Sequence, residues 1–159
     1  MIDQIAISDV LLDGTKEIFE TMIFMDLEPV ENQDRDIEGD SLLGSITFTG
    51  DLEGCVSICC STNSAATIAA NMLGLDEPEE LSEEEVCDAV GEVTNMIMGS
   101  VKARPADIAG NVEVSIPSVV SGRSLESTLG EKASRTSVMV SLSEQHIAEL
   151  SMFWRNRAK

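Results

Sequence analysis

Between Ser82 and Lys102 the chain carries two stripes that only a helix lying on another layer can satisfy together. At about 100° per residue, Val86, Val90, Val93, Ile97 and Val101 fall within a sector of roughly 80°, the apolar stripe of a helix that buries one face. Asp88, Glu92, Asn95 and Gly99, at spacings of four, three and four, fall within roughly 60° on nearly the opposite side. Ser82 with Glu85 three residues on is a capping box, and Glu83 and Glu84 suit the positive end of the helix dipole. The helix should run to about Lys102, just short of Pro105, with Lys102 and Arg104 complementing its C-terminal end rather than serving the chemistry.

The rest of the chain supplies the missing layer. Leu11, Thr15, Ile18, Met22 and Met25 have helical spacing, which predicts a helix over 8–25 with Ser8 as N-cap, ended near Pro29. After the acidic loop ENQDRDIEGD, the segment SLLGSITFTGDLEGCVSICCS alternates about a GDLEG turn and reads as a hairpin. Asn63 is expected to cap a short helix, SAATIAANMLG, which Gly74 terminates, and DEPEE reads as a polar linker. NVEVSIPSVVSG is an extended segment whose Pro117 makes it an edge or kinked strand. RTSVMVSLSEQHIAELSMFW alternates on both sides of SEQH and reads as a second hairpin. The order helix, hairpin, helix, then helix, extended segment, hairpin predicts a single α+β domain over 1–159, with two related halves and helices packed on antiparallel strands.

Charge removes several classes of function. The chain has 29 acidic against 10 basic side chains, a net charge of −19, and such a field repels nucleic-acid phosphates and anionic lipid surfaces. Four Phe and one Trp, with no Tyr, give few stacking platforms for bases. A free phosphorylated metabolite would need a cluster of cations that the sequence does not show. A phosphate already embedded in a partner protein escapes that objection. Cys55, Cys59, Cys60 and Cys87 form no CxxC pair, and the one histidine, His146, falls in a predicted turn, so neither a zinc site nor a metal-dependent hydrolase is expected. The N-terminus lacks a basic, cleavable leader and no run of about 18 apolar residues occurs, so a soluble cytoplasmic protein is expected.

The outward stripe of the central helix is the anomaly. Asn95, Gly91 and Gly99 together cost on the order of 1 to 2 kcal/mol of helix propensity relative to Ala, and no cap or turn uses them. Gly91 leaves the flank of that face bare, where another protein's backbone could approach, and Gly91, Gly99 and Asp88 are read as partner contacts. The pattern D-x-x-x-E-x-x-N of Asp88, Glu92 and Asn95, followed some twenty residues later by Pro117 in IPSVVSG, resembles the CheC, CheX and FliY group of chemotaxis phosphatases. The first helix, EIFETMIFMDLEP, is similar to the opening helix of CheX proteins.

That resemblance implies a CheX-like fold and a phosphatase acting on the aspartyl phosphate of a CheY-type receiver domain. Asn95 would orient the attacking water and Glu92 would pair with the receiver's active-site lysine. No cofactor is expected on this chain, and Mg²⁺ is expected in the partner. The first helix offers Lys16, Glu17 and Glu20 and no Asn, so one active site per chain is implied, and a homodimer with sheets paired across a two-fold axis. The competing reading is an adaptor that docks the same face on a receiver or a flagellar switch protein without turnover.

Overall fold

The computed structural model describes residues 4–30, 37, 39–50, 52–104, 112–123, 125 and 133–156. Helix α1 (Gln4–Ile18) runs into a single π-turn (Phe19–Ile23), followed by β1 (Leu27–Pro29), β2 (Ser41–Thr49), β3 (Leu52–Ser61) and α2 (Thr62–Leu73). A short 3₁₀ turn (Pro78–Glu80) leads to α3 (Glu83–Ala103), then β4 (Glu113–Val114), β5 (Ser118–Gly122), β6 (Ser134–Leu142) and β7 (His146–Asn156). All strands join one antiparallel sheet in the order β1-β6-β7-β3-β2-β4, with β5 also on β2, and the expected α+β architecture is what forms.

The two related halves are present, but interleaved. The hairpin β2–β3 of the first half and β6–β7 of the second meet along β3 and β7, with Ser57 opposite Ser151. Each half then sends its edge strand to the other half's hairpin, β1 to β6 and β4–β5 to β2. The helices cross over in the same way: α1 lies on β6, and α3 lies on β2. Helix α2 is an addition to the first half, packed beside α3. Interleaving ties the halves together, because neither can bury its helix or pair its edge strand alone.

Several local expectations are corrected. The first helix begins before Ser8, which lies inside it, and its end is not a simple stop at Pro29. It widens into the π-turn, closed by the Phe24 N–H on the Phe19 carbonyl with Phe24 at φ 60°, and so buries Phe19, Ile23 and Met25 while leaving Met22 exposed. Pro29 belongs to β1 instead. The cap of α2 is Ser61, whose hydroxyl accepts from the Ser64 N–H at 3.1 Å, rather than Asn63. Gly74 does terminate α2, at φ 72°. His146 lies at the start of β7, with Nδ1 2.9 Å from Ser64 Oγ, and the turn before it is built by Ser143 and Glu144 at positive φ. Most of the acidic loop, 31–36 and 38, lies outside the described residues.

Helix α3 is placed by its caps and by one close approach. The capping box forms in both directions, Glu85 N–H to Ser82 Oγ at 3.2 Å and Ser82 N–H to Glu85 Oε1 at 3.1 Å. The apolar stripe Val86, Val90, Val93, Ile97 and Val101 is buried as expected, joined by Ala89 and Met98. Thr94 is also fully buried, its hydroxyl donating to the Val90 carbonyl at 2.7 Å, and it sits directly over Gly44 in β2. A Cβ at Gly44 would overlap Thr94 Oγ1 and come within 3.0 Å of Val90 Cγ1. Gly44→Ala should therefore push helix from sheet and destabilise by about 1–3 kcal/mol, as overpacking does, read from the denaturant midpoint.

Of the four cysteines, Cys55, Cys59 and Cys60 are buried and Cys87 is half-exposed. Burial, with Cys59 alongside, pushes the Cys60 thiol up to about 12, and burial followed by Glu149 raises Cys59. Since the thiolate is the reactive species, a disulfide reagent at pH 8 should titrate Cys87 alone in the native protein and the other three only after unfolding.

Candidate functional site

Asp88, Glu92, Asn95 and Gly99 all lie on the exposed side of α3, opposite its buried stripe. Among the described residues the side chains of Asp88, Glu92 and Asn95 make no hydrogen bond or ion pair with the rest of the chain. The amide and both carboxylates thus meet solvent on a rigid helix, with their hydrogen-bonding capacity free for an incoming molecule. A Cβ at Gly99 would meet nothing within 4 Å, so no packing in this chain requires glycine there.

Gly91 is different. It is buried, and a Cβ there would lie 3.6 Å from Val119 Cγ2 and 3.8 Å from Pro117 Cγ. The flank that the helical wheel left open to a partner is occupied by this chain's own β5 segment, a tertiary contact that the sequence pattern does not display. Pro117 is thereby brought against the helix that carries Glu92 and Asn95. It is held by a break in the strand: Phe48 pairs with Val114 and Ser45 with Ser118, so the register slips by one and Ile116 and Pro117 together oppose Ile46. Ser115 anchors the bulge, its N–H on the Thr47 carbonyl at 2.9 Å and its Oγ accepting from the Thr47 N–H at 3.0 Å. Proline has no N–H to offer the ladder, which accounts for the break at that position.

The other half offers a comparison for this face. SDVLLDGTKEI of α1 (8–18) and CDAVGEVTNMI of α3 (87–97) align residue for residue, which carries the relation expected between the two halves down to individual positions. Thr15 matches Thr94 in role as well as place, buried and donating to the Leu11 carbonyl at 2.7 Å. Asp9 and Asp13 stand where α3 has Asp88 and Glu92, and Lys16 stands where it has Asn95. Lys16 Nζ lies 3.7 Å from Glu20 and 3.4 Å from Glu28, which raises its affinity for the proton, Glu28 first. Glu17 is taken by Arg104 at 2.7 Å. On α1 the residue in the place of Asn95 is held in ion pairs while Asp9 and Asp13 stay exposed, whereas on α3 Asn95 itself is unengaged.

The cleft of about 370 Å³ formed in part by Leu42, Leu81, Val86, Cys87 and Gly122 opens at the N-terminal end of the helix, and neither Glu92 nor Asn95 lines it. A convex helix face cannot enclose a small substrate. Such groups act chemically when another molecule supplies the concave half of the site.

The model of the family described as chemotaxis phosphatase CheX matches residues 42–142. The chain is 33% identical over 86 residues to the CheY-P phosphatase CheX of Thermotoga maritima, a match covering 54% of this chain and 55% of that protein, so the alignment spans about half of the curated relative. Among solved structures, the chemotaxis protein CheX from Vibrio vulnificus superposes with a TM-score of 0.79 at 26% identity, covering 98% of this chain and all of that one. The Borrelia burgdorferi CheX of a CheX-CheY-BeF3-Mg complex gives 0.71 at 21% identity, over 98% of this chain and all of that one.

Because Gly99 packs against nothing, replacing it tests whether its cost serves the fold. Gly99→Ala should raise stability by about 0.5–1 kcal/mol, measured by thermal or denaturant unfolding.

Proposed function

The chain belongs to the family of the chemotaxis phosphatase CheX, and from that premise we propose that it hydrolyses the aspartyl phosphate of a CheY-type receiver domain, with Glu92 and Asn95 as its working pair. The observation that carries this reading is the outward, internally unpaired Glu92 and Asn95 on the convex face of α3. The names of the relatives agree with it, a CheY-P phosphatase in one case and a complex with CheY in another.

The chemistry asks little of this chain beyond placement. In a receiver, the acyl phosphate sits in a pocket with Mg²⁺ and a lysine, so the phosphoryl charge is largely met by the partner. What is missing is a water held in line with the bond to be broken. The Asn95 amide offers an acceptor for one water proton and a donor for a phosphoryl oxygen without adding negative charge. A carboxylate there would repel the phosphoryl group. Glu92, one turn earlier, pairs with the receiver's lysine and sets how deeply the helix enters. Attack forms the new oxygen–phosphorus bond, the bond from phosphorus to the aspartyl oxygen breaks, and the carboxylate leaves with inorganic phosphate as the second product. Asp88 extends the acidic end of the contact, and Gly99 keeps the far end of the face low.

One site per chain is part of the proposal, supported by Lys16 standing where α3 has Asn95. Pairing of two copies across a sheet edge fits this fold: β1 covers β6 only at Val140–Leu142, with Val30 bonded to Met139 beyond, leaving Ser134–Val138 without a strand neighbour among the described residues on that side. No helix among the described residues is long and apolar enough to cross a membrane, and a cytoplasmic setting beside the receiver is part of the proposal.

The test is phosphate loss from a CheY-type receiver charged with acetyl phosphate and Mg²⁺. The unaltered chain should accelerate it, and Asn95→Ala should lower the rate by about a hundredfold or more with the fold intact, in keeping with loss of a positioned reactant. Glu92→Ala should weaken the complex as well as the rate. Binding without any acceleration by the unaltered chain would replace the phosphatase with the adaptor.

A further inference from the structure

Ile116 is the most exposed large apolar side chain among the described residues, at 87%. It is also held stiffly. Ser115 before it is bonded to Thr47 through both N–H and hydroxyl and turns that hydroxyl onto the Ile116 carbonyl at 3.1 Å. Pro117 after it fixes its own φ and confines Ile116 to extended backbone. A free loop would let such a side chain fold back on apolar surface. Here a clamped bulge keeps it in water, at a cost that nothing among the described residues repays.

Its position relative to α3 can be read from the packing. Leu42 and Val86 line one cleft, and Gly44 further along β2 meets Val90 and Thr94, so α3 runs beside β2 in the same sense. Strand β5 runs the opposite way, with Val119 opposite Gly44 and the Ile116–Pro117 bulge opposite Ile46. Moving from Val119 to Ile116 therefore moves along α3 from Gly91 toward the level of Asn95. On the helical wheel Asn95 also leans toward the Gly91 flank, where Pro117 rests. The bulge thus sets Ile116 toward the level of Asn95 along α3.

We propose that Ile116 is the apolar anchor by which this chain grips the receiver domain, entering an apolar recess beside the receiver's phosphorylation pocket while Glu92 and Asn95 enter the pocket itself. This rests on the phosphatase reading above. It divides the labour between residues: the polar pair makes the reactive contact, and a rigid aliphatic group supplies affinity without ordering cost. The partner is a protein with an apolar rim, because a free phosphate or an acidic peptide gives Ile116 nothing to bury against.

The experiment compares the unaltered chain, Ile116→Ser, Asn95→Ala and, as control, Val120→Ser, an exposed position of β5 opposite Leu43 on the face of the sheet away from the helices. Dephosphorylation of a CheY-type receiver with Mg²⁺ gives KM and kcat, and titration of the same receiver loaded with beryllofluoride gives affinity without turnover. Ile116→Ser should raise KM and weaken binding by on the order of tenfold, with kcat within about twofold, as expected for burial of one aliphatic side chain. Asn95→Ala should do the reverse, and Val120→Ser should change neither. Unaltered KM and affinity in Ile116→Ser overturn the proposal while leaving the phosphatase standing. If the unaltered chain does not speed phosphate loss, the phosphatase reading fails by itself. The beryllofluoride titration then decides Ile116 alone, with a loss of binding sustaining the anchor and no loss overturning it. A shift from dimer to monomer by sedimentation, with receiver affinity unchanged, assigns Ile116 to a second copy of the chain and also overturns it.

Discussion

The seating of Thr94 on Gly44 is the contact on which the geometry of the site depends. It brings the axis of α3 closer to β2 than any residue with a Cβ would permit, and the Val90 and Thr94 side chains interlock with the strand there. A helix that close cannot roll, because rolling would lift Thr94 out of a space with no slack and unseat the valine stripe on either side. The direction in which Glu92 and Asn95 point is thus set from beneath, by residues that never touch a partner. Thr94 and Asn95 are neighbours in sequence, one locked into the sheet and the next turned to solvent, so the precision of the first passes directly to the second.

How much of this could be read beforehand follows the range of the interactions. The capping box of α3 and the glycine stop of α2 are local, and each stands where residue chemistry places it. Both hairpins were legible for the same reason. Errors came where local signals were degenerate or the deciding contact was distant. Ser61, Thr62 and Asn63 can all cap a helix, and the strand β3 decided for Ser61 by continuing up to it. The π-turn after α1 follows from the need to bury Phe19, Ile23 and Met25 together, which no 3.6-residue pattern announces. The outward face of Asp88, Glu92, Asn95 and Gly99 was visible at once from the helical period. Gly91 was assigned to that face because a wheel shows angles and not neighbours, and the neighbour is Pro117 from twenty-six residues on.

The internal repeat shows where two such helices part: at the position of Asn95. Both keep the buried threonine with its bond to the preceding turn, so both are seated on a hairpin in the same manner. At the surface position of the amide, α1 carries Lys16, which closes on Glu20 and Glu28. These pairs are exposed and individually weak. On the phosphatase reading their effect is on function rather than stability: a lysine engaged by two carboxylates lacks the acceptor with which an unengaged amide would orient a water toward phosphorus.

A convex site also accounts for features that would count as defects in an enzyme with a pocket. Free polar groups, a glycine with nothing above it and an isoleucine held in water each leave the isolated chain less stable than it could be. If the substrate were a small molecule, the chain would need walls to exclude solvent and cations to hold phosphate, and its charge of −19 would work against both. If the substrate is a folded domain that already holds the phosphoryl group, those walls and charges belong to the substrate. The catalyst then needs only a stiff rod with the right amide at the right height, and the surface of α3 together with the Ile116–Pro117 bulge meets that description. On this view the low helix propensity of Asn95 and Gly99 is the cost of a surface that finishes another protein's site.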